Sequence, residues 1–173
     1  MATKRIVFFY LDQYVYGLDV EATKGIEKML SFIPVPSSLP HIKGLLNLRG
    51  EVIPVYSLRT KLGLPQKQPD KETQLIIGSL RNGILLALEV DRMREIIEVD
   101  TSEFTNPPAL IQSQNTGYIS KVVHLKDTLA IMIDLEGMLT EEEKRNIQKF
   151  IEDTKEKEAS EKVAEAKAVE AEE

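Results

Sequence analysis

Residues 4–135 form a succession of short apolar runs that are separated by turn-forming residues. The runs have the length and the β-branched and aromatic content of strands rather than of helices. The clearest pair is TQLIIGSL and ILLALEV, which flank the turn residues Arg81-Asn82-Gly83, and the Asn-Gly dipeptide favours a hairpin turn. Helices and strands do not alternate along this region. The pattern therefore predicts a mainly β fold, either a barrel or a sandwich.

The same region consists of two halves with a loosely similar pattern. Each half contains apolar hairpins joined by a loop with two nearby prolines, Pro34 and Pro36 in the first half and Pro107 and Pro108 in the second. A chain of 173 residues fits one domain of ordinary size, or two small units that share a core.

The segment after residue 140 has a different composition. Thr140 followed by Glu143 is a capping box, which predicts that a helix begins here and runs over 140–155. We expect the last part, 156–173, to be an acidic and mobile tail, because its apolar positions thin to Val and Ala. The helix has a short apolar stripe for docking on the body, formed by Ile147, Phe150 and Ile151.

Charge and composition exclude several classes of protein. The net charge is −6, and the segment from Thr140 onward contributes −5 of it, with twelve acidic and seven basic residues. The nearly neutral body carries no basic stripe, which argues against nucleic-acid binding and against a polybasic membrane surface. The N-terminal run IVFFYL is too short for a membrane span or a signal core and is followed by Asp12. We expect a cytoplasmic protein without membrane insertion.

Catalytic and metal-binding patterns are poorly supported. The chain has no cysteine and two histidines, His41 and His124, in separate segments. Ser57 or Ser120 with either histidine is a conceivable nucleophilic pair, but no nucleophile elbow is present. Neither a zinc, a calcium nor a phosphate-loop motif occurs. The expectation is therefore a protein that is not an enzyme and has no metal and no cofactor.

A cluster of carboxylates in the second half leaves one alternative open. The cluster comprises Asp91, Glu95, Glu98, Asp100 and Glu103. A small enzyme or a ligand-binding β-barrel could use these groups if they converged on a concave pocket. The simpler interpretation is that they are solvent-facing charges on strands that alternate inward and outward.

The stretch LLNLRGEVIPVYSL places an arginine and a glycine between two strand-like runs. Gly50 is expected to supply the positive φ of a tight turn. Arg49 then lies at the turn, where its guanidinium either binds a partner or pairs internally with a carboxylate. Pro54 lacks an N–H group, which predicts an edge strand or a bulge.

The sequence IKGLLNLRGEVIPVYSLR resembles the signature of the CheW-type coupling proteins of bacterial chemotaxis, in which N-(apolar)-R-G precedes a strand that contains proline. FFYLDQYVYGLDV is similar to the opening strand pair of that family, EVDRMREIIEV to an element of its second half, and YISKVVHLKDTLAIMIDLEGML to its closing strands. The resemblance covers roughly residues 4–140.

The resemblance implies a fold and a function. The fold is two side-by-side five-stranded SH3-like barrels within residues 4–140, intertwined and divided near residues 70–85, followed by the C-terminal helix. Members of the family are adaptors without catalytic activity. They link the cytoplasmic tips of methyl-accepting chemoreceptors to the regulatory domain of the histidine kinase CheA. A coupling protein for a sensory pathway other than swimming fits the sequence equally well, and a monomer is expected for the free protein.

The resemblance also implies a receptor-binding groove between the barrels, while the kinase-facing residues cannot be placed. Three positions depart from the family pattern, which puts Gly25, Ser57 and Lys121 where Glu, Asp and Gly are usual. The groove residues carried over by position are Gly44, Asn47, Arg49 and Gly50 from the first half and Asp91, Met93 and Ile96 from the second.

Overall fold

The computed structural model describes residues 2–35, 39–109 and 117–172, with side chains to Glu156. Within these ranges the chain forms twelve strands, two short α-helical turns, two 3₁₀ turns (Val20–Ala22 and Thr101–Glu103) and one long helix. The strands are β1 (Thr3–Leu11), β2 (Tyr14–Asp19), β3 (Thr23–Lys28), β4 (Ile33–Pro34), β5 (Ile42–Leu48), β6 (Glu51–Ser57), β7 (Gln74–Ser79), β8 (Leu85–Val90), β9 (Arg92–Asp100), β10 (Phe104–Thr105), β11 (Ile119–His124) and β12 (Leu129–Ile133). The helices are α1 (Leu58–Lys61), α2 (Leu135–Met138) and α3 (Glu141–Glu172).

The strands form two sheets, which confirms the mainly β prediction. One sheet has the order β10-β11-β12-β2-β1-β9, and the other has the order β4-β5-β6-β8-β7-β3. Each sheet contains five longer strands and one two-residue strand at an edge, β10 or β4. In each sheet one central pair is parallel, β12 with β2 and β6 with β8, while the remaining pairs are antiparallel.

The two sheets have the same connectivity, and the chain passes between them twice. We define unit 1 as β3–β8 with α1, and unit 2 as β9–β12 with α2, completed by β1 and β2 from the N-terminus. The crossings lie at the 3₁₀ turn Val20–Ala22 and at Asp91. The division that we expected near residues 70–85 therefore falls within the β7–β8 hairpin of unit 1. A strand pattern shows where strands are, but not that an N-terminal hairpin completes a C-terminal sheet.

The buried apolar side chains form three clusters, one within each unit and one between the two units. β1 is buried on both faces, because Ile6 and Phe8 point into the core of unit 2 while Val7 and Phe9 point into a central core between the units. The core of unit 1 is separate. Alternating side chains of a strand point to opposite faces, so β1 contributes to two cores at once. Two barrel-like units therefore share one apolar interface.

Pro54 lies in an inner strand, so the prediction of an edge strand or a bulge is wrong. β6 has β5 on one side and β8 on the other. Its parallel pairing with β8 begins only at Val55. Pro54 is placed just before that ladder starts, where the missing N–H group does not remove one of its hydrogen bonds.

The long helix begins as the capping box predicts. The Thr140 hydroxyl accepts a hydrogen bond from the Glu143 N–H at 3.1 Å. Ile147 of the expected stripe is buried in the central core, and the backbone helix extends to Glu172, beyond the predicted end at residue 155. The mobility of residues 156–173 stays a prediction. No helix in the described part of the chain is long and apolar enough to cross a membrane.

Candidate interaction surface

The β5–β6 hairpin presents an arginine at a two-residue turn. Leu48 and Glu51 face each other across the strands, so Arg49 and Gly50 form the loop. Both have positive φ, 53° and 88°, which is the geometry of a type I′ turn. The positive φ predicted for Gly50 is confirmed. The Asn47 side-chain oxygen accepts a hydrogen bond from the Gly50 N–H at 3.1 Å and supports the loop.

The same backbone conformation is costly at Arg49, because residues with a Cβ rarely adopt positive φ. The Arg49 side chain is 80% exposed and contacts the Glu27 carboxylate of β3, with Nη2 and Oε1 3.1 Å apart. An exposed ion pair of this kind contributes little to stability. The guanidinium is therefore paired with a carboxylate of the chain and is also accessible, so internal pairing is observed and the binding of a partner stays a prediction.

A small cavity of about 170 Å³ adjoins the turn. Its walls come from β3, β6 and β8 as well as from the turn, and include Lys24, Glu27, Leu48, Ile53 and Leu85. Arg49 lies at its edge. The cavity is too small for a drug-sized ligand but can take a side chain of a partner protein.

Gly44 has a packing role. It is buried in β5, and a Cβ added there would come within 2.3 Å of the Ile33 carbonyl oxygen and 2.4 Å of the Phe32 ring. Glycine therefore allows β4 to lie directly against β5. Gly44 itself has no side chain to offer to a partner.

Asp91 is buried at the crossing from β8 to β9. Its Oδ2 accepts hydrogen bonds from Arg59 Nη1 at 2.6 Å and from the Asp12 N–H at 2.7 Å. Arg59 also donates to the Asp12 carboxylate and, through Nε, to the Pro65 carbonyl oxygen. Sequence reasoning gave Arg59 no role. The arrangement is an internal ion-pair network that joins the two units, and it leaves Asp91 little surface for a partner.

Met93 and Ile96 share one face of the edge strand β9. They are three residues apart and would point to opposite faces of a regular strand. A bulge in β9 opposite Phe8 and Phe9 brings them to the same face. Met93 pairs with Phe9 and Ile96 pairs with Val7, and Phe9 and Val7 both face the central core. Met93 is half-buried, and Ile96 is exposed.

The predicted groove residues therefore fall into two exposed groups and two buried positions. Asn47, Arg49 and Gly50 form one turn, and Met93 and Ile96 form one strand face. Among the described residues, no hydrogen bond or ion pair joins the two groups. Both β3 and β9 are edge strands whose apolar side chains, Ile26 and Met93, pack on the central core. That both groups line a single groove stays a prediction.

Comparison with known proteins identifies the chain. The model of the CheW-like domain family matches residues 5–143. The chain belongs to the CheW-like family. It is 32% identical to the chemotaxis protein CheW of Bacillus subtilis (strain 168), over 80% of this chain and 88% of that protein. It is 25% identical to the chemotaxis protein CheW of Treponema pallidum (strain Nichols), over 80% of this chain and 84% of that protein.

A solved structure supports the same assignment. The scaffolding protein TtCheW from Thermoanaerobacter tengcongensis superposes with a TM-score of 0.72 and 29% sequence identity, covering 79% of this chain and 92% of that one. The resemblance noted from the sequence is thus confirmed. As a CheW-like protein, the chain is a non-catalytic adaptor of chemotaxis signalling.

The departures from the CheW-like pattern have different consequences. Ser57 replaces the usual aspartate and still caps α1, since its hydroxyl accepts a hydrogen bond from the Thr60 N–H at 3.2 Å. Serine and aspartate are equally good N-caps. A Cβ added at Gly25 would meet no atom within 4 Å, so the space next to its Cα is open. Lys121 is exposed and donates to the Asn106 side chain.

The histidines and serines do not form a nucleophilic pair. The His41 ring nitrogen lies 2.9 Å from the Thr60 hydroxyl, and burial followed by the charge of Lys61 lowers the pKa of His41. Ser57 is engaged as a cap, and Ser120 lies against the Met132 carbonyl oxygen. Within the described ranges, no group of three or more potential ligands could hold a metal ion.

The carboxylates of the second half do not converge on one site. Asp91 is bound to Arg59, and the Glu95 carboxylate accepts a hydrogen bond from Arg94. The Asp100 side chain caps a 3₁₀ turn through the Ser102 N–H. Three of the five groups thus have a structural partner of their own, while Glu98 and Glu103 are exposed, and this arrangement does not favour the alternative of a ligand-binding barrel.

Proposed function

We propose that this CheW-like chain couples the cytoplasmic tips of chemoreceptors to the regulatory domain of the histidine kinase CheA. The observation that carries the proposal is the Arg49 turn. An arginine occupies a position that glycine or asparagine would take without strain, and its side chain projects into solvent. Backbone strain that nothing internal requires is typical of functional positions.

The second supporting observation is the exposed face of β9. Ile96 is one of four large apolar side chains that are exposed within the described residues. Arg49 and Ile96 offer a guanidinium and an aliphatic surface, two kinds of group that occur at the centres of protein interfaces. We infer that the receptor tip contacts both.

The mechanism that we propose is geometric and takes place in the cytoplasm. One face binds the receptor and another binds the kinase domain, so that a conformational bias of the receptor reaches the kinase through differential contacts. Each contact can be weak, because an array of many copies raises the effective concentration of the partners. The adaptor itself is a monomer when free and uses neither a cofactor nor a metal.

The decisive experiment removes the guanidinium without disturbing the turn. Arg49→Asn keeps a residue that tolerates positive φ. We expect the affinity for a receptor-tip fragment to fall about 30-fold or more, as for an interface hot spot, while the affinity for the kinase regulatory domain is unchanged. Both affinities are measured by NMR titration of the ¹⁵N-labelled full chain.

Arg145→Asn is the matched control, because Arg145 is an exposed arginine on α3. It should leave both affinities unchanged. The placement of Arg49 in the receptor surface is wrong if Arg49→Asn binds the receptor fragment as tightly as the control. The coupling function itself is wrong if the unsubstituted, folded chain binds neither fragment.

A further inference from the structure

The equivalence of the two units identifies a surface that is covered in one and bare in the other. Val52 of β6 and Leu129 of β12 each lie five residues before the residue that caps the following helical turn, Ser57 or Asp134. Both strands make the parallel pair of their sheet. Val52 and Leu129 are therefore structural equivalents.

The neighbouring strand supplies the second member of each pair. Val55 pairs with Ala87 in unit 1 and Met132 pairs with Gly17 in unit 2. Three residues before these partners lie Ile84 and Tyr14, which are likewise equivalent. Each unit thus has two large apolar side chains on adjacent strands at the same corner of its sheet.

In unit 1 this corner is sealed by α3. Val52 and Ile84 are only 8% and 7% exposed. Ile147 of α3 is buried in the same cluster as Ile84, and Ile151 lines a shared cavity with Val52 and Ile84. Two aliphatic side chains at i and i+4 of one helix therefore cover two side chains of the sheet.

In unit 2 no helix within the described ranges covers the equivalent corner. Leu129 and Tyr14 are 54% and 52% exposed. Ile131, two residues along β12 on the same face, is half-buried and extends the apolar stripe. Exposed apolar residues that occur singly are ordinary, whereas a contiguous stripe indicates an interaction site.

The turn at the edge of this stripe carries Lys126 and Asp127, and the Asp127 carboxylate is already paired with Arg94 at 2.6 Å. Lys126 lies in the β11–β12 turn next to Leu129 and is equivalent to Arg49 in the β5–β6 turn. It is exposed, and among the described residues it has no ion pair. In unit 1 the corresponding turn neighbours the docked helix, since Glu51 and Glu152 line one cavity. The equivalent of Glu51 in unit 2 is Thr128, so a carboxylate just beyond the second aliphatic residue of a docked helix would lie at the turn that carries Lys126 and would meet a neutral residue there in place of Glu51.

We propose that the stripe formed by Tyr14, Leu129 and Ile131 binds an amphipathic helix of a partner protein, with aliphatic residues at i and i+4 and a carboxylate directly after the second. The template is Ile147, Ile151 and Glu152 of α3 on the equivalent surface. The helix cannot be the α3 of a second copy, because α3 is anchored to its own body through Ile147 and an ion pair of Lys144 with Glu136 at 2.9 Å. Because α3 is tethered to its own body, its high effective concentration there favours the intramolecular contact over a contact with a second copy.

The test uses a synthetic helix of this chemistry as the probe. The peptide has the sequence of residues 141–156 and is stapled across the exposed positions Arg145 and Lys149, since a free helix of this length is marginal in water. It is titrated into the ¹⁵N-labelled full chain. We expect saturable shifts at Tyr14 and Leu129, and at least a tenfold weaker association for Leu129→Lys.

Two controls sharpen the result. Ile33→Lys changes an apolar side chain of unit 1 that is even more accessible, at 72% exposed, and this variant should bind the peptide as the unsubstituted chain does. A peptide with Glu152→Lys should bind several-fold more weakly, because it repels Lys126. The absence of shifts at Tyr14 and Leu129, or equal affinity for Leu129→Lys, overturns the proposal.

Self-association is the competing outcome. Sedimentation equilibrium of the full chain shows whether copies associate through this surface. If the chain dimerises and Leu129→Lys abolishes the dimer, the occupant is a second copy and the partner helix is wrong. The titration uses neither receptor nor kinase, so its failure and a failure of the coupling function are distinguishable.

Discussion

The two units share one strand order, yet their helical turns are held by opposite charges. Arg59 is the second residue of α1 and is only 7% exposed, bound to Asp91 and Asp12. Glu136 is the second residue of α2 and takes the equivalent place. It accepts hydrogen bonds from the Arg81 N–H and from Lys144. The shared strand order therefore does not determine which charged residue occupies the helical turn of each unit.

The difference has a structural consequence at the two crossings between the units. Around Arg59 the crossing is filled by its guanidinium. Around Glu136 a cavity of about 760 Å³ lies between the units and is lined by residues from both, among them Leu18, Glu21, Leu80 and Leu135. Glu21 is the positional equivalent of Asp91 but is exposed. One crossing is thus fixed by a buried ion pair, and the other is left open.

The largest effect on the unfolding free energy is expected at the buried ion pair, where the two crossings differ most. Asp91→Ala removes one partner of the Arg59 guanidinium and leaves the Asp12 N–H without its acceptor. Breaking a buried pair in this way costs about 3–5 kcal/mol of unfolding free energy. Urea denaturation monitored by circular dichroism measures the loss.

Glu21→Ala is the matched control at the open crossing. Because Glu21 is exposed, we expect a change within about 0.5 kcal/mol. A loss of less than about 1 kcal/mol for Asp91→Ala would mean that the buried network does not join the units energetically, and the contrast between the crossings would be one of shape alone.

The second-largest effect is expected at the apolar corner that α3 covers in unit 1, compared with the exposed corner of unit 2. Ile147→Ala removes a side chain that is 3% exposed in the central core, and we expect a loss of about 2–4 kcal/mol. Leu129→Ala, at the bare corner, should change the unfolding free energy by less than about 0.5 kcal/mol. Both are measured by urea denaturation in the absence of partners. Equal losses would show that Leu129 is packed in solution and that the corner is not bare.

The sequence predicted those parts of the fold that depend on neighbouring residues. The Asn82-Gly83 turn joins β7 and β8 as expected, and Gly83 has a φ of 89°. The capping box at Thr140 starts α3. The type I′ turn at Gly50 also follows from local chemistry. Each of these signals lies within a few residues of the structure that it specifies.

The remaining features depend on contacts between distant residues. Arg59 binds Asp91 and Asp12, which are 32 and 47 positions away, and no periodicity reveals such a partnership. The completion of unit 2 by the N-terminal hairpin is equally non-local. For the candidate site, the turn at Arg49 was predictable, whereas the burial of Gly44 and Asp91 was not, since a sequence motif gives identity at a position but not its exposure.

The smallest effect concerns Glu136, which anchors α3. Burial alone would raise the pKa of Glu136, but the hydrogen bonds from the Arg81 N–H and from Lys144 outweigh it and lower the pKa. The folded state therefore binds a proton at Glu136 less readily than the unfolded state does. The resulting stabilisation is present above the unfolded pKa of about 4.3 and is lost as the pH falls through the lower, folded value.

Glu136→Gln removes this contribution and should cost about 1 kcal/mol at pH 7, a modest value because the pair with Lys144 is partly exposed. The difference from the unsubstituted protein should shrink as the pH falls below the unfolded pKa, and it should vanish below the lower, folded pKa, where Glu136 is protonated in both states. Glu141→Gln is the control, since the Glu141 carboxylate also contacts Lys144, at 3.3 Å, but is 80% exposed. Urea midpoints at several pH values give both differences. A loss that is independent of pH would assign the anchoring of α3 to apolar packing at Ile147 rather than to the charge that distinguishes α2 from α1.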